Sequence, residues 1–162
     1  MSKIKCLVFS GGGNKGLSFI GCLKAIEECH LLKQVECFAG TSAGSIISVL
    51  INLGYTSEEL EEILLNMDFS QLRDITSDGI FTYFQNFGFD TGNRMERVLR
   101  IFIRKKTNNE DITFSELYQL TGKKLIITGT CLNSRSRVFF SHIEHGTMKV
   151  IDALRISFSV PF

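Results

Sequence analysis

The chain has 162 residues, 44% hydrophobic and 22% charged, with fourteen glycines, one proline and no tryptophan. That composition reads as a single domain over 1–162, able to bury about 70% of its unfolded surface, and excludes disordered and collagen-like classes. Eighteen Lys and Arg against seventeen Asp and Glu leave a net charge of +1, which excludes bulk polycation behaviour and nucleic acid as the default partner.

The first element is a short apolar strand, Cys6-Leu7-Val8-Phe9, ending in a glycine cluster. From Gly16, the apolar residues Leu17, Ile20, Leu23, Ala25 and Ile26 recur at helical spacing, and His30 marks the end. A second strand is expected over 35–39. It runs into Gly40-Thr41-Ser42-Ala43-Gly44, and residues 46–53 are apolar on nearly every face, as in a buried helix capped by Gly54. Thr56 followed by Glu59 has capping-box spacing and opens an acidic helix through Met67. Residues 68–91 read as irregular, with turn signals at Asp78-Gly79 and Asp90-Thr91-Gly92. Met95, Val98, Leu99 and Phe102 mark a helix, 125–131 is β-rich, and 137–141 is placed to pair with it. Val150, Ile151, Leu154 and Phe158 give a last helix, stopped by Pro161. Strands alternating with helices indicate an α/β sheet with covered faces.

Two glycine motifs carry the chemistry. In Gly-Thr-Ser-Ala-Gly, a serine between an apolar strand and an apolar helix has the setting of a nucleophile elbow. There a Cβ at either flanking glycine would clash, and the hydroxyl projects from the sheet. Ser42 also lies at a helix N-terminus, where backbone N–H groups favour developing negative charge. The second motif is Gly11-Gly12-Gly13-Asn14-Lys15-Gly16, directly after the first strand. Small residues in succession expose backbone N–H groups that can bind an oxyanion, or form a turn that binds nothing. The same residues satisfy GxGxxG, the dinucleotide fingerprint. That reading needs an acid at the end of the second strand, and Glu36 sits near its start. A phosphate-binding P-loop needs a lysine after Gly16, where the chain has Leu17.

The GGGxKG loop and the GxSxG elbow, in this order, resemble the patatin-like phospholipases. So does Phe87-Gly88-Phe89-Asp90-Thr91-Gly92 before the middle helix, and so does the run from Asp152 to the end of the chain, with its proline Pro161. The resemblance implies a three-layer α/β/α fold with a mainly parallel central sheet, and hydrolysis of fatty-acyl esters of phospholipids or related lipids. It implies a Ser–Asp dyad without histidine, with no metal or organic cofactor. Ser42 is then the catalytic nucleophile, Gly11, Gly12 and Gly13 offer oxyanion amides, and Gly16, Gly40, Gly44 and Lys15 complete the motifs. The family's Asp-Gly-Gly or Asp-Gly-Ala motif does not occur in the 162 residues. The aspartate is therefore expected beyond Phe162, the fold is expected to be C-terminally incomplete, and the chain alone is expected to be inactive.

Other residues allow other readings. His142 or His145 could serve a Ser–Asp–His triad, although the pair lies in an expected surface turn; its HxxH spacing lacks a further clustered metal ligand. Residues 94–106 hold Arg94, Arg97, Arg100, Arg104, Lys105 and Lys106 against Glu96, beside an apolar stripe. Such a helix either lies on an anionic membrane carrying the lipid substrate or buries the stripe in the core. Phe81, Phe84, Phe87 and Phe89 either line an acyl channel or pack the core. Cys6, Cys22, Cys29, Cys37 and Cys131 show no CxxC spacing and lie mostly in apolar or mixed stretches, so buried free thiols are expected. The glycine cluster arrives before a signal-peptide core could form, and no apolar run approaches a bilayer span, which points to a cytoplasmic protein, at most peripheral on membranes. The contrasting class is a non-catalytic lipid- or partner-binding module on the same fold.

Overall fold

The computed structural model describes residues 4–68 and 92–159. Four strands form one sheet in the order β1 (Cys6–Phe9), β2 (Cys37–Gly40), β3 (Lys124–Cys131), β4 (Ser136–Phe140). The first three run parallel, and β4 returns antiparallel from β3. A 3₁₀ turn, Gly13–Leu17, leads into α1 (Ser18–Glu28), and a second, Leu31–Gln34, leads toward β2. Among the described residues the other helices are α2 (Ala43–Asn52), α3 (Ser57–Asn66), α4 (Asn93–Thr107), α5 (Phe114–Thr121) and α6 (Val150–Phe158). A mixed, mostly parallel sheet flanked by helices is the α/β/α class that the alternating strands and helices required.

Register explains which residues make the core. Leu7, Phe38 and Leu125 stand side by side, as do Phe9, Gly40, Ile127 and Phe140, so alternation places them all on one sheet face. Phe38 and Ile127 are fully buried there. The central helix α2 packs across β1, β2 and β3, while α6 packs on β3 and against α2. The apolar run in α2 is buried from Ile47 to Leu53, as its all-round hydrophobicity requires. The opposite face, carrying Cys6, Val8, Ala39 and Ile126, is the less covered one among the described residues; Val8 is 74% exposed.

Sequence signals set the helix ends. Thr56 and Glu59 form the expected reciprocal capping box, and Thr113 with Glu116 forms a second one that starts α5. Gly54 adopts φ +85° after α2, the left-handed conformation of a C-terminal cap. The Ser57 hydroxyl donates to the Glu27 carboxylate, which also accepts the Ser57 N–H at 3.1 Å and so joins α1 to α3. The helix α5 was absent from the sequence expectation. Its eight residues bury only Phe114 and Leu117, too few to display a helical period, but the Thr113-x-x-Glu116 spacing was there to be read.

Charged residues tie α4 to its surroundings. Arg100 donates to Glu96 at 3.0 Å and to Asp111 at 2.6 Å, Lys149 reaches Asp111 at 3.1 Å, and Arg155 reaches Glu96 at 3.0 Å. The Arg100 guanidinium, with Lys149 second, holds the Asp111 carboxyl below the usual carboxylate range. A depressed folded-state pKa adds stability above the unfolded value, about 3.9, and that stability is lost as pH falls through the folded value. Melting temperature is therefore expected to drop below about pH 4, with Asp111→Asn flattening part of that slope. Identical acid profiles in wild type and variant would show the pairing to be energetically silent.

Candidate active site

The glycine loop and the Ser42 turn meet at the carboxyl ends of the parallel strands, where a doubly wound sheet presents its ligands. β1 delivers the loop and β2 the turn, and the Thr41 N–H continues the pairing by donating to Phe9 O at 3.2 Å. Ser42 has φ +53° and ψ −124°, a conformation that residues with a Cβ rarely adopt. Backbone pairing holds the turn: Gly44 N–H donates to Thr41 O and Ser45 N–H to Ser42 O, both at 2.9 Å. The buried Ser45 hydroxyl donates to Ser42 O at 2.5 Å.

The flanking glycines are required by contact with main chain. A Cβ on Gly40 would lie 2.3 Å from Gly44 O, and one on Gly44 would lie 2.3 Å from Phe9 O. A Cβ on Gly16 would come within 2.9 Å of Ala43 Cβ, so the 3₁₀ turn rests on the start of α2. Gly11 passes beside the serine; a methyl there would sit 3.4 Å from Ser42 Cβ. The loop and the serine, far apart in sequence, are thus neighbours.

Two further ties hold the turn from the other side. The Ser42 N–H donates to Ser157 Oγ on α6 at 2.9 Å, and the hydroxyls of Thr41 and Thr128 are 2.7 Å apart. Nothing in the sequence pointed to Ser157 or Thr128, because their roles depend on strand register and on the docking of the last helix. Among the described residues, no hydrogen bond is made by the Ser42 hydroxyl or by the N–H groups of Gly11, Gly12 and Gly13, and of the three glycines Gly11 is the one that passes beside Ser42. Lys15 is exposed beside them.

Several sequence candidates are placed elsewhere. His142 stacks on Tyr118 with ring centroids 3.9 Å apart, and His145 meets the edge of Phe140 at 5.1 Å. Neither is hydrogen-bonded to Ser42. Glu36 lies before β2, paired with Lys5 at 3.2 Å at the strand end remote from the glycine loop, where no ribose held by that loop could meet it. Among the described residues, no group of three or more His, Cys, Asp or Glu is placed to hold a metal. Asp78, Asp90, Phe81, Phe84, Phe87, Phe89 and Pro161 lie outside the described residues.

Two expectations need correction or resolution. The cysteines are free thiols, but none is buried: Cys6, Cys22 and Cys29 are exposed, and Cys37 and Cys131 half-buried. Their apolar sequence neighbours, such as Leu7, Phe38, Ile20 and Leu23, face the opposite side of the same element and take the core. On α4 the stripe resolves in favour of the core: Leu99 and Ile103 are buried, with Met95 and Phe102 packed against the core.

Comparison with known proteins decides what this arrangement belongs to. The family profile for the patatin-like phospholipases matches residues 7–162, taking in both glycine motifs. The chain belongs to the patatin-like phospholipase family. Lipid acyl-ester hydrolysis is the chemistry typical of patatin-like proteins. The patatin-like chain is 33% identical over 162 residues to an uncharacterized protein, R571, of Acanthamoeba polyphaga mimivirus. That match covers 99% of this chain and 53% of the relative. It is 28% identical to the probable lipid hydrolase 463L of Invertebrate iridescent virus 6, over 97% of this chain and 53% of that one. It thus spans about half the length of these viral relatives. A chain in the solved SpcU–ExoU complex, from the type III secretion system of Pseudomonas aeruginosa, superposes with a TM-score of 0.77. The identity is 23%, over 98% of this chain and 39% of that chain, and it speaks for the patatin-like fold.

Proposed function

We propose that this patatin-like domain carries the nucleophile and the oxyanion site of a lipid acyl hydrolase. The observation that carries the reading is the strained Ser42 turn, held beside the Gly11 loop by close main-chain packing. Ser42 Oγ attacks the ester carbonyl, its proton passing to a base. The N–H groups of Gly11, Gly12 and Gly13 donate to the oxygen that becomes negative, each such donor lowering the barrier by on the order of 3 kcal/mol. The tetrahedral intermediate collapses as the base returns the proton to the departing alcohol, and water, losing a proton to the same base, then hydrolyses the acyl-enzyme to release the fatty acid and the serine hydroxyl. The base that the patatin-like family implies is an aspartate. The probable lipid hydrolase among the viral relatives supports a fatty-acyl ester as substrate. Labelling by a fluorophosphonate, together with hydrolysis of a long-chain p-nitrophenyl ester by the whole protein, tests the reading. Both signals should vanish in Ser42→Ala, and labelling that survives would place the nucleophile elsewhere.

The substrate is reached at a lipid surface. No helix among the described residues is long and apolar enough to cross a membrane. On α4, with its apolar stripe in the core, Arg97, Ile101 and Lys105 remain exposed at helical spacing, Ile101 by 63%. A basic face with an apolar centre suits peripheral contact with anionic lipid. Reversing both charges, Arg97→Glu with Lys105→Glu, should weaken partitioning onto phosphatidylserine vesicles at least about tenfold, since each basic residue near the surface contributes roughly 1 kcal/mol. Unchanged partitioning would remove this helix from the membrane contact.

A further inference from the structure

Cys6 and Cys37 are register partners on the parallel strands β1 and β2. Adjacent residues at one register point to the same side of a sheet, so both thiols stand on the face opposite Phe9 and Phe38, beside Val8 and less covered among the described residues. Cys6 is exposed and Cys37 half-buried. The Cys6 thiol is 3.9 Å from the carbonyl oxygen of Leu7, and Lys124, the register partner of Cys37 on β3, completes the row with a cation. Among the described residues, no other cysteine stands at a register position opposite a second one. Neighbouring strands lie about 4.8 Å apart. That is at the short end of the Cα separations a disulfide spans, so a bond can close with little movement and remains easily reduced.

We propose that Cys6 and Cys37 form a thiol–disulfide exchange site whose substrate is a low-molecular-weight disulfide. The more exposed Cys6, as thiolate, attacks one sulfur of the small disulfide. Its S–S bond breaks, and the departing thiolate takes up a proton. Cys37 loses its proton to solvent and attacks the Cys6 sulfur of the mixed disulfide, releasing the second small thiol. Two protein thiols are oxidised, and one small disulfide is reduced to two thiols. Burial raises the pKa of Cys37, so the second step gains with rising pH. The finished bond joins β1 to β2, the strands that lead to the Gly11 loop and the Ser42 turn.

The test is incubation of the folded chain with excess oxidised glutathione, quenching with iodoacetamide, and peptide mapping by mass spectrometry. The expected product is a Cys6–Cys37 linked peptide. Glutathionylated Cys6 should be at least about tenfold scarcer than in Cys37→Ser, where the intramolecular step is blocked. A persistent mixed disulfide on Cys6 in the wild type would overturn the proposal. So would reduced Cys6 and Cys37 at a time when Cys22 and Cys29 are already glutathionylated. Circular dichroism melts of Cys6→Ser and Cys37→Ser establish that the compared proteins are folded.

Discussion

Replacing Ser42 by alanine should lower ester hydrolysis by the whole protein by at least about 10⁴-fold, because the covalent route is lost and only binding and oxyanion stabilisation remain. The loss should appear in kcat and leave the melting temperature near that of the wild type. The backbone at 42 makes a second outcome diagnostic. At φ +53° and ψ −124° any Cβ is strained, by roughly 1–3 kcal/mol, and glycine relieves most of that. Ser42→Gly should therefore be as inactive as Ser42→Ala yet more stable, by about 1 kcal/mol in urea unfolding. A protein that trades stability for a catalytic pose shows this pair of results. If Ser42→Gly were less stable than Ser42→Ala, the turn would not be the strained element described here.

The second large effect concerns the glycines on either side. A methyl on Gly44 would lie 2.3 Å from Phe9 O and 2.6 Å from Ser10 O, both main-chain atoms at the end of β1. No side chain can yield there; the helix or the strand must move. Gly44→Ala should cost at least about 3 kcal/mol, at or above the upper end of overpacking penalties, and should abolish fluorophosphonate labelling of any fraction that still folds. Gly21 is the internal control. It lies on the exposed side of α1 with nothing within 4 Å of an added Cβ, so Gly21→Ala should be stabilising by about 0.5–1 kcal/mol. Urea denaturation of the two variants reads both signs in one experiment. Comparable stability for Gly44→Ala and Gly21→Ala would mean that the elbow is looser than its contacts imply.

The glycine chemistry was legible in the sequence because a steric requirement leaves its mark on residue identity. No other residue fits at Gly40 or Gly44, and the apolar runs on either side named the strand and the helix that the turn must join. What escaped reading depended on partners distant in sequence. The thiols were misplaced because period-two alternation in a four-residue strand is easily mistaken for a uniformly apolar run; Leu7 and Phe9 face the core while Cys6 and Val8 face away. The charges of α4 looked like a free basic surface, yet Arg100 and Lys106 are committed to Asp111 and Glu59 on other segments. The eight-residue α5 was hidden by its brevity, although its capping box has the same spacing as the one recognised at Thr56. The hydroxyl pair of Thr41 and Thr128 becomes visible only once β2 and β3 are aligned.

The bond from the Ser42 N–H to Ser157 Oγ has a temporal side. The two residues are 115 positions apart, and a ribosome adding about 5–20 residues per second makes the donor on the order of ten seconds before its acceptor. During that interval β1, α1 and β2 can already pair, and the Ser42 amide must be satisfied by water. The turn reaches its final pose only when α6 is made and docks. The final pose of the Ser42 turn thus waits for a segment made 115 residues later, so the nascent chain holds its serine unfinished until the rest of the described core exists to contain it.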